Sequence, residues 1–225
     1  MKIFCTNGLK SVLLELTPAL EREHATRLTT TWGATVGLAQ EIAGGAQVDL
    51  AILTGEVVDD LIARGKAVAG SRVDLARSGI GVAVRKGAPR PDIGTADALR
   101  RALLAARSVA HSKSGQSGLY FPTVLERLGI AAEMKPKLVV PESGIAIGEV
   151  VARGEAEIGI QQISELLPVA GIEIVGPLPE PLQKITTFSG GVLRAAKESS
   201  LTAVLLKFVA TESPRLLKQK GLEAV

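Results

Sequence analysis

Gly115-Gln116-Ser117-Gly118-Leu119-Tyr120 stands between an apolar run, 108–111, and a helical pattern ending at Leu128-Gly129. A strand that enters a glycine- and hydroxyl-rich turn and leaves it as a helix aims several unpaired backbone N–H groups at one point. Such a point suits an anion or a polar ligand oxygen. The arrangement recurs: Asn7-Gly8 precedes a helical pattern beginning near Leu9, and Gly33-Ala34-Thr35 precedes another beginning near Val36. Thr54, between a buried strand and a helix, and Gln162, just past a strand end, join the candidates, because α/β ligand sites collect at strand ends. These residues offer binding chemistry, with amides and hydroxyls as donors to oxygen atoms. Each also has a plain structural use: Asn-Gly makes ordinary turns, and Thr35 is a helix-capping type.

Bond-making chemistry finds less support. Gly115-Gln116-Ser117-Gly118 resembles a nucleophile elbow, but Leu119 stands where that motif needs glycine. Cys5 and His111 both follow strand-like runs, yet no orienting partner for either is visible. Gly79-Ile80-Gly81 lacks the later glycine of a dinucleotide loop, and no phosphate loop ending in Gly-Lys-Ser/Thr occurs. One cysteine and two histidines, His24 and His111, form no metal-ligand pattern. The expectation is therefore a protein that is not an enzyme and needs neither cofactor nor metal.

Bulk composition narrows the partner. With 26 basic against 23 acidic residues the net charge is +3, and the densest basic spots, Arg100-Arg101 and 218–220, fit solvated helix faces, so no nucleic-acid partner is expected. Aromatic residues make up 3% of the chain, which disfavours a ring-stacking sugar cleft and favours a small polar ligand. The lone cysteine excludes an intramolecular disulfide. No apolar run approaches the roughly 18 residues of a membrane span. The first strand begins at Lys2, leaving no room for a leader: either the natural protein lacks one or this is a trimmed mature form.

Short apolar runs alternating with amphipathic segments position these residues in an α/β fold. Strands are expected at 3–5, 27–31, 48–53, 108–111, 137–140, 157–161 and 185–188. Helices are expected at 9–20 with a bend at Pro18, at 36–43, 56–64, after Thr95 to 106, at 145–153, 201–210 and 214–220. The β-branched run 80–84 and the stretch 185–193 are read as connections between two lobes. Lobe 1 is then discontinuous, 1–80 plus 190–225, with lobe 2, 81–189, inserted. Two crossings form a hinge.

The segments Leu38-Ala39-Gln40-Glu41-Ile42 through Asp49-Leu50, Gln116 to Tyr120, and Val151 to Ile160 resemble those of the periplasmic solute-binding proteins of ABC transporters, above all the molybdate-binding protein family. The resemblance covers nearly the whole chain. It implies a two-lobed type II clamshell of mixed, mostly parallel sheets with a two-strand hinge. It also implies capture of a small oxyanion or compact carboxylate in the interlobe cleft, and delivery by a monomer in the periplasm to membrane permease subunits. The family's serines after the first two strands fall here on Asn7-Gly8 and Ala34-Thr35-Val36-Gly37, and its tyrosine after the Gly-Ile strand falls on Gln162. Ser117 falls where the family uses a backbone amide, and Gly144 near another such contact. A cytosolic ligand-sensing domain of the same fold is the alternative.

Overall fold

The structure is a computed structural model and describes residues 1–197, 199–211 and 214–225. The chain divides into two compact units: unit 1 comprises Met1–Ser78 and Thr186–Val225, and unit 2 comprises Gly79–Ile185.

Unit 1 is built on a five-stranded sheet of β1 (Lys2–Thr6), β2 (Thr29–Gly33), β3 (Leu50–Thr54), β4 (Val73–Ser78) and β10 (Thr186–Val192), in the order β2-β1-β3-β10-β4. β1 runs parallel to β2 and β3, with Cys5 opposite both Trp32 and Ile52, while β10 is antiparallel to β3 and β4. The helices are α1 (Lys10–Glu23), α2 (Thr35–Ala43), α3 (Gly55–Ala63), α9 (Ser199–Thr211) and α10 (Pro214–Gln219). Alternation along the strands feeds two cores. Ile3, Cys5, Leu50 and Ile52 face one core with Val12, Leu13 and Leu20 of α1 and Leu205 and Leu206 of α9. Phe4, Ala51 and Leu53 face the other, with Leu38 and Ile42 of α2 and Val58 and Leu61 of α3.

Unit 2 repeats the plan with β5 (Ile80–Arg85), β6 (Val109–His111), β7 (Leu138–Val139), β8 (Ile158–Gln162) and β9 (Ile172–Pro177), in the order β7-β6-β8-β5-β9. β6 is parallel to β7 and β8, and β5 is antiparallel to β8 and β9. Its helices are α4 (Ala96–Ala105), α5 (Gln116–Arg127), α6 (Ala131–Met134), α7 (Ile147–Ala152) and α8 (Ile163–Leu166). Leu99 and Leu103 of α4 and Phe121, Val124 and Leu125 of α5 cover one sheet face; Ile147, Val150 and Val151 of α7 cover the other.

Both sheets are mixed, with parallel and antiparallel pairings evenly divided. The runs 80–84 and 185–193, read as connections, lie in strands β5 and β10, and the division of the chain falls just before each of those strands. β4, β9, α6 and α8 were not anticipated.

Candidate functional site

In each unit the three parallel strands end at one edge of the sheet, and the candidate residues lie at those ends. In unit 1, β1 ends at Thr6 and passes through a 3-10 turn, Asn7–Leu9, into α1; β2 leads through Ala34 into α2; β3 leads straight from Thr54 into α3. Thr6, Thr35 and Thr54 are all buried. The Thr35 hydroxyl donates to Thr6 Oγ1 at 3.2 Å, tying the first two strand ends together. Ala34 and Thr54 occupy the N-cap positions of α2 and α3 in extended conformation, and neither helix start receives a side-chain cap. Thr54 Oγ1 is buried and has no hydrogen-bond partner among the described residues. Arg72 adds no unbalanced charge, because its Nε meets Asp74 Oδ1 at 2.8 Å and its Nη1 meets Asp59. Gly8 is a packing residue: a Cβ there would stand 2.3 Å from Phe188 Cζ. Asn7, half-buried beside it, opens the turn.

In unit 2 the turn after β6 is organised by Ser112, whose Oγ accepts from the amides of Ser114 at 3.3 Å and Gly115 at 2.8 Å. α5 then starts at Gln116, again uncapped, with Ser117 in its first turn and buried. Gly118 is required by close approach, since a Cβ would lie 1.8 Å from the Ser112 carbonyl oxygen. Gly144, exposed at φ +97°, belongs to the loop before α7. The Ser114 and Ser143 hydroxyls, 3.3 Å apart, join that loop to the turn before α5. Gln162 closes β8, is buried, and is the N-cap of α8. In contrast, α4 follows the antiparallel strand β5 and is capped by its own Thr95, which accepts from Ala98 N at 3.1 Å. The open helix starts α2, α3 and α5 therefore coincide with the parallel-strand ends, leaving first-turn amides available to a ligand's oxygens.

Two ionisable groups near the strand ends of unit 2 depart from ordinary behaviour. Burial lowers the His111 imidazole's affinity for protons, opposed by hydrogen bonding to the backbone of Ser112 and Gly118, so the ring is neutral at neutral pH. Its Nδ1 lies 3.2 Å from the Ser112 carbonyl, and the ring rests against Phe121 at 5.4 Å. Glu165 of α8 is surrounded by protein on most sides yet keeps some solvent-accessible surface, and burial pushes its carboxyl up to about 7. Gln161 links it to the rest of the edge: Gln161 Nε2 donates to Glu165 Oε2 at 2.8 Å, and Gln161 Oε1 accepts from Ile147 N at 3.1 Å. In unit 1, Cys5 is fully buried in β1 and its thiol is strongly disfavoured from ionising, as befits an inert core residue. Glu165 and Gln161 were missed in the sequence. The available signal was a pair of glutamines ending an apolar strand with a glutamate three residues further on.

The chain belongs to the bacterial extracellular solute-binding protein family, whose model matches residues 1–223. Among particular relatives, the aconitate isomerase of a Pseudomonas species is 33% identical over 234 residues, covering 100% of this chain and 88% of that protein. The molybdate-binding protein ModA of Escherichia coli is 22% identical, covering 97% of this chain and 87% of its own. The structure of the Azotobacter vinelandii periplasmic molybdate-binding protein superposes with a TM-score of 0.80 at 17% identity, covering 100% of this chain and 99% of that one. The fold and the solute-binding-protein family thus agree with the resemblance read from the sequence. The expectation of a non-enzyme does not stand, because a relative matching the whole chain bears an enzyme's name.

Proposed function

We propose that this protein binds a small unsaturated polycarboxylate and interconverts its isomers, with aconitate as the reference substrate. The observation that carries the reading is the coincidence of open helix starts with buried hydroxyls at the parallel-strand ends, above all the Thr54 hydroxyl, which has no partner among the described residues. Carboxylate oxygens accept from such donors without needing a paired cation. At the strand ends of unit 1 the donors on offer are Thr54 and the amides following Asn7, Gly8 and Ala34, the Thr35 hydroxyl being held by Thr6; at those of unit 2 they are Ser117, Gln162 and the first-turn amides of α5, the Ser114 and Gly115 amides being held by Ser112, with Gly144 alongside. The relative named aconitate isomerase supplies the reaction type. Replacement of the molybdate family's serines and tyrosine by Asn7-Gly8, Ala34-Thr35 and Gln162 favours a carboxylate over a tetrahedral metal oxyanion.

The test is proton NMR of aconitate incubated with the purified protein, together with calorimetry against both aconitate isomers, citrate, molybdate, tungstate and sulfate. Isomerisation with binding of the tricarboxylate is expected. Heat with molybdate alone and no turnover would overturn the reading. The second reading, capture of a small anion for membrane permease subunits by a monomer outside the cytoplasm, is favoured by the family match over residues 1–223. It predicts tight binding with the ligand unchanged.

A further inference from the structure

We infer that Glu165 is the proton-carrying catalytic residue of this isomerisation, held in place by Gln161. The inference rests on the isomerase reading above and deepens it. Gln161 lies in β8 and cannot turn its amide around without loss, because its carbonyl oxygen is already taken by the Ile147 amide at the start of α7. It therefore always presents its NH2 to Glu165 Oε2. Among the described residues Glu165 Oε1 makes no hydrogen bond and is the oxygen left to exchange a proton. His111 is the poorer candidate, its Nδ1 held at the Ser112 carbonyl and its ring tilted against Phe121.

Aconitate carries a methylene beside its alkene, and the step needs no co-reactant. The ionised Glu165 takes a proton from the methylene carbon, and the released C–H electron pair becomes a new C=C bond to the central carbon. The former π pair shifts to the far alkene carbon, which takes a proton back from the Glu165 carboxylic acid. One C–H bond breaks, one forms, nothing is oxidised or reduced, and Glu165 ends ionised. The orientation of the former methylene at proton removal fixes the new alkene geometry. A carboxyl at about 7 divides between the proton-accepting and proton-donating forms near neutrality, as such a shuttle requires. The titratable groups on the elements packed against α8 are Glu149 of α7, Arg85 of β5 and Glu173 of β9. Glu149 pairs with Arg153 and Glu173 accepts from the Gly87 amide; burial, not any of these charges, raises Glu165.

The experiment compares the full-length protein with Glu165→Gln, Glu165→Asp and Gln161→Leu. Readouts are turnover, deuterium incorporation into aconitate in D2O, aconitate affinity by calorimetry, and thermal melting. For Glu165→Gln, turnover and deuterium uptake fall by about 10²–10⁴-fold while affinity changes by less than about threefold. Glu165→Asp keeps part of the rate. Gln161→Leu lowers the rate less and moves the pH midpoint of kcat/KM upward, because the ionised carboxylate loses a donor. Should the wild-type protein isomerise aconitate while Glu165→Gln, folded, retains rate and pH profile, Glu165 is not the carrier and the isomerase reading survives. Should the wild-type protein bind aconitate but neither isomerise it nor take up deuterium, the isomerase reading falls and this inference with it.

Discussion

Thr54 carries a buried hydroxyl that has no hydrogen-bond partner among the described residues. A buried, unsatisfied hydroxyl costs stability of the order of 1–3 kcal/mol, and an apolar replacement of the same shape removes that cost. Thr54→Val should leave the melting temperature unchanged or higher, while aconitate affinity falls about tenfold or more, as calorimetry and thermal scans can show. A drop in stability with affinity intact would mean that the hydroxyl serves the fold. Glu165 gives a second case of a polar group held at a cost by burial. Its folded-state value near 7 exceeds an ordinary carboxyl near 4.5, so across that window the folded protein holds more protons than the unfolded chain. Stability therefore falls as pH rises from about 4.5 to about 7 and stays at the lower level above. Glu165→Gln cannot ionise and should be the more stable protein at pH 8, by up to about 3 kcal/mol, with the gain fading toward pH 5. Urea unfolding at the two pH values measures it, and an equal effect at both would mean that Glu165 titrates normally.

At the level of the element, the turn before α5 depends on a contact that tolerates no side chain. In Gly118→Ala the new methyl meets the backbone of Ser112, its carbonyl oxygen 1.8 Å and carbonyl carbon 2.6 Å away, and backbone cannot swing aside like a flexible side chain. The 112–115 turn must move, with a loss of about 2 kcal/mol or more and of ligand binding. Gly37→Ala is the control: Gly37 is exposed on α2 with open space at its Cβ position, so alanine should stabilise by about 0.5–1 kcal/mol. Denaturant midpoints of the two variants moving in the same direction would refute this account. These turns could be read from sequence because their chemistry is local. The same holds for α1, α2 and α4, whose apolar spacing and, for α4, Thr95 cap lie within a few residues. β4 escaped notice because Asp74 and Arg77 interrupt its apolar pattern, and only the fold shows Asp74 answered by Arg72 and by Ser189 Oγ at 2.6 Å. β9 escaped because Glu173 and Pro177 are tolerable on an edge strand alone. Glu165 was invisible for a deeper reason: its acidity is set by burial, and its partner Gln161 is fixed by the Ile147 amide, which packing, not sequence proximity, brings to it.

At the scale of the whole chain, the two units differ in how they are threaded although their sheets share one plan. Unit 2 is a continuous stretch with its own sheet and its own covered faces. Unit 1 is assembled from both ends of the chain, because β10 lies between β3 and β4. Without residues 186–225, β4 loses its sheet neighbour and β3 loses one of its two. The core under α1 also loses Phe188, Val192, Leu205 and Leu206. A strand missing from inside a sheet leaves unpaired backbone groups on both of its neighbours, and buried unpaired groups are costly. The fragment 79–185 should therefore fold alone, with dispersed amide resonances and a cooperative melt. The fragment 1–78 should remain unfolded until the segment 186–225 is added in trans. Cys5 reports the outcome: buried in β1 and reluctant to ionise, it resists thiol reagents in the assembled unit and reacts freely in the lone fragment. A lone 1–78 fragment that protected Cys5 would mean that β1, β2 and β3 form a stable sheet without β10, and that the interleaved strand is not what binds the chain's two ends into one unit.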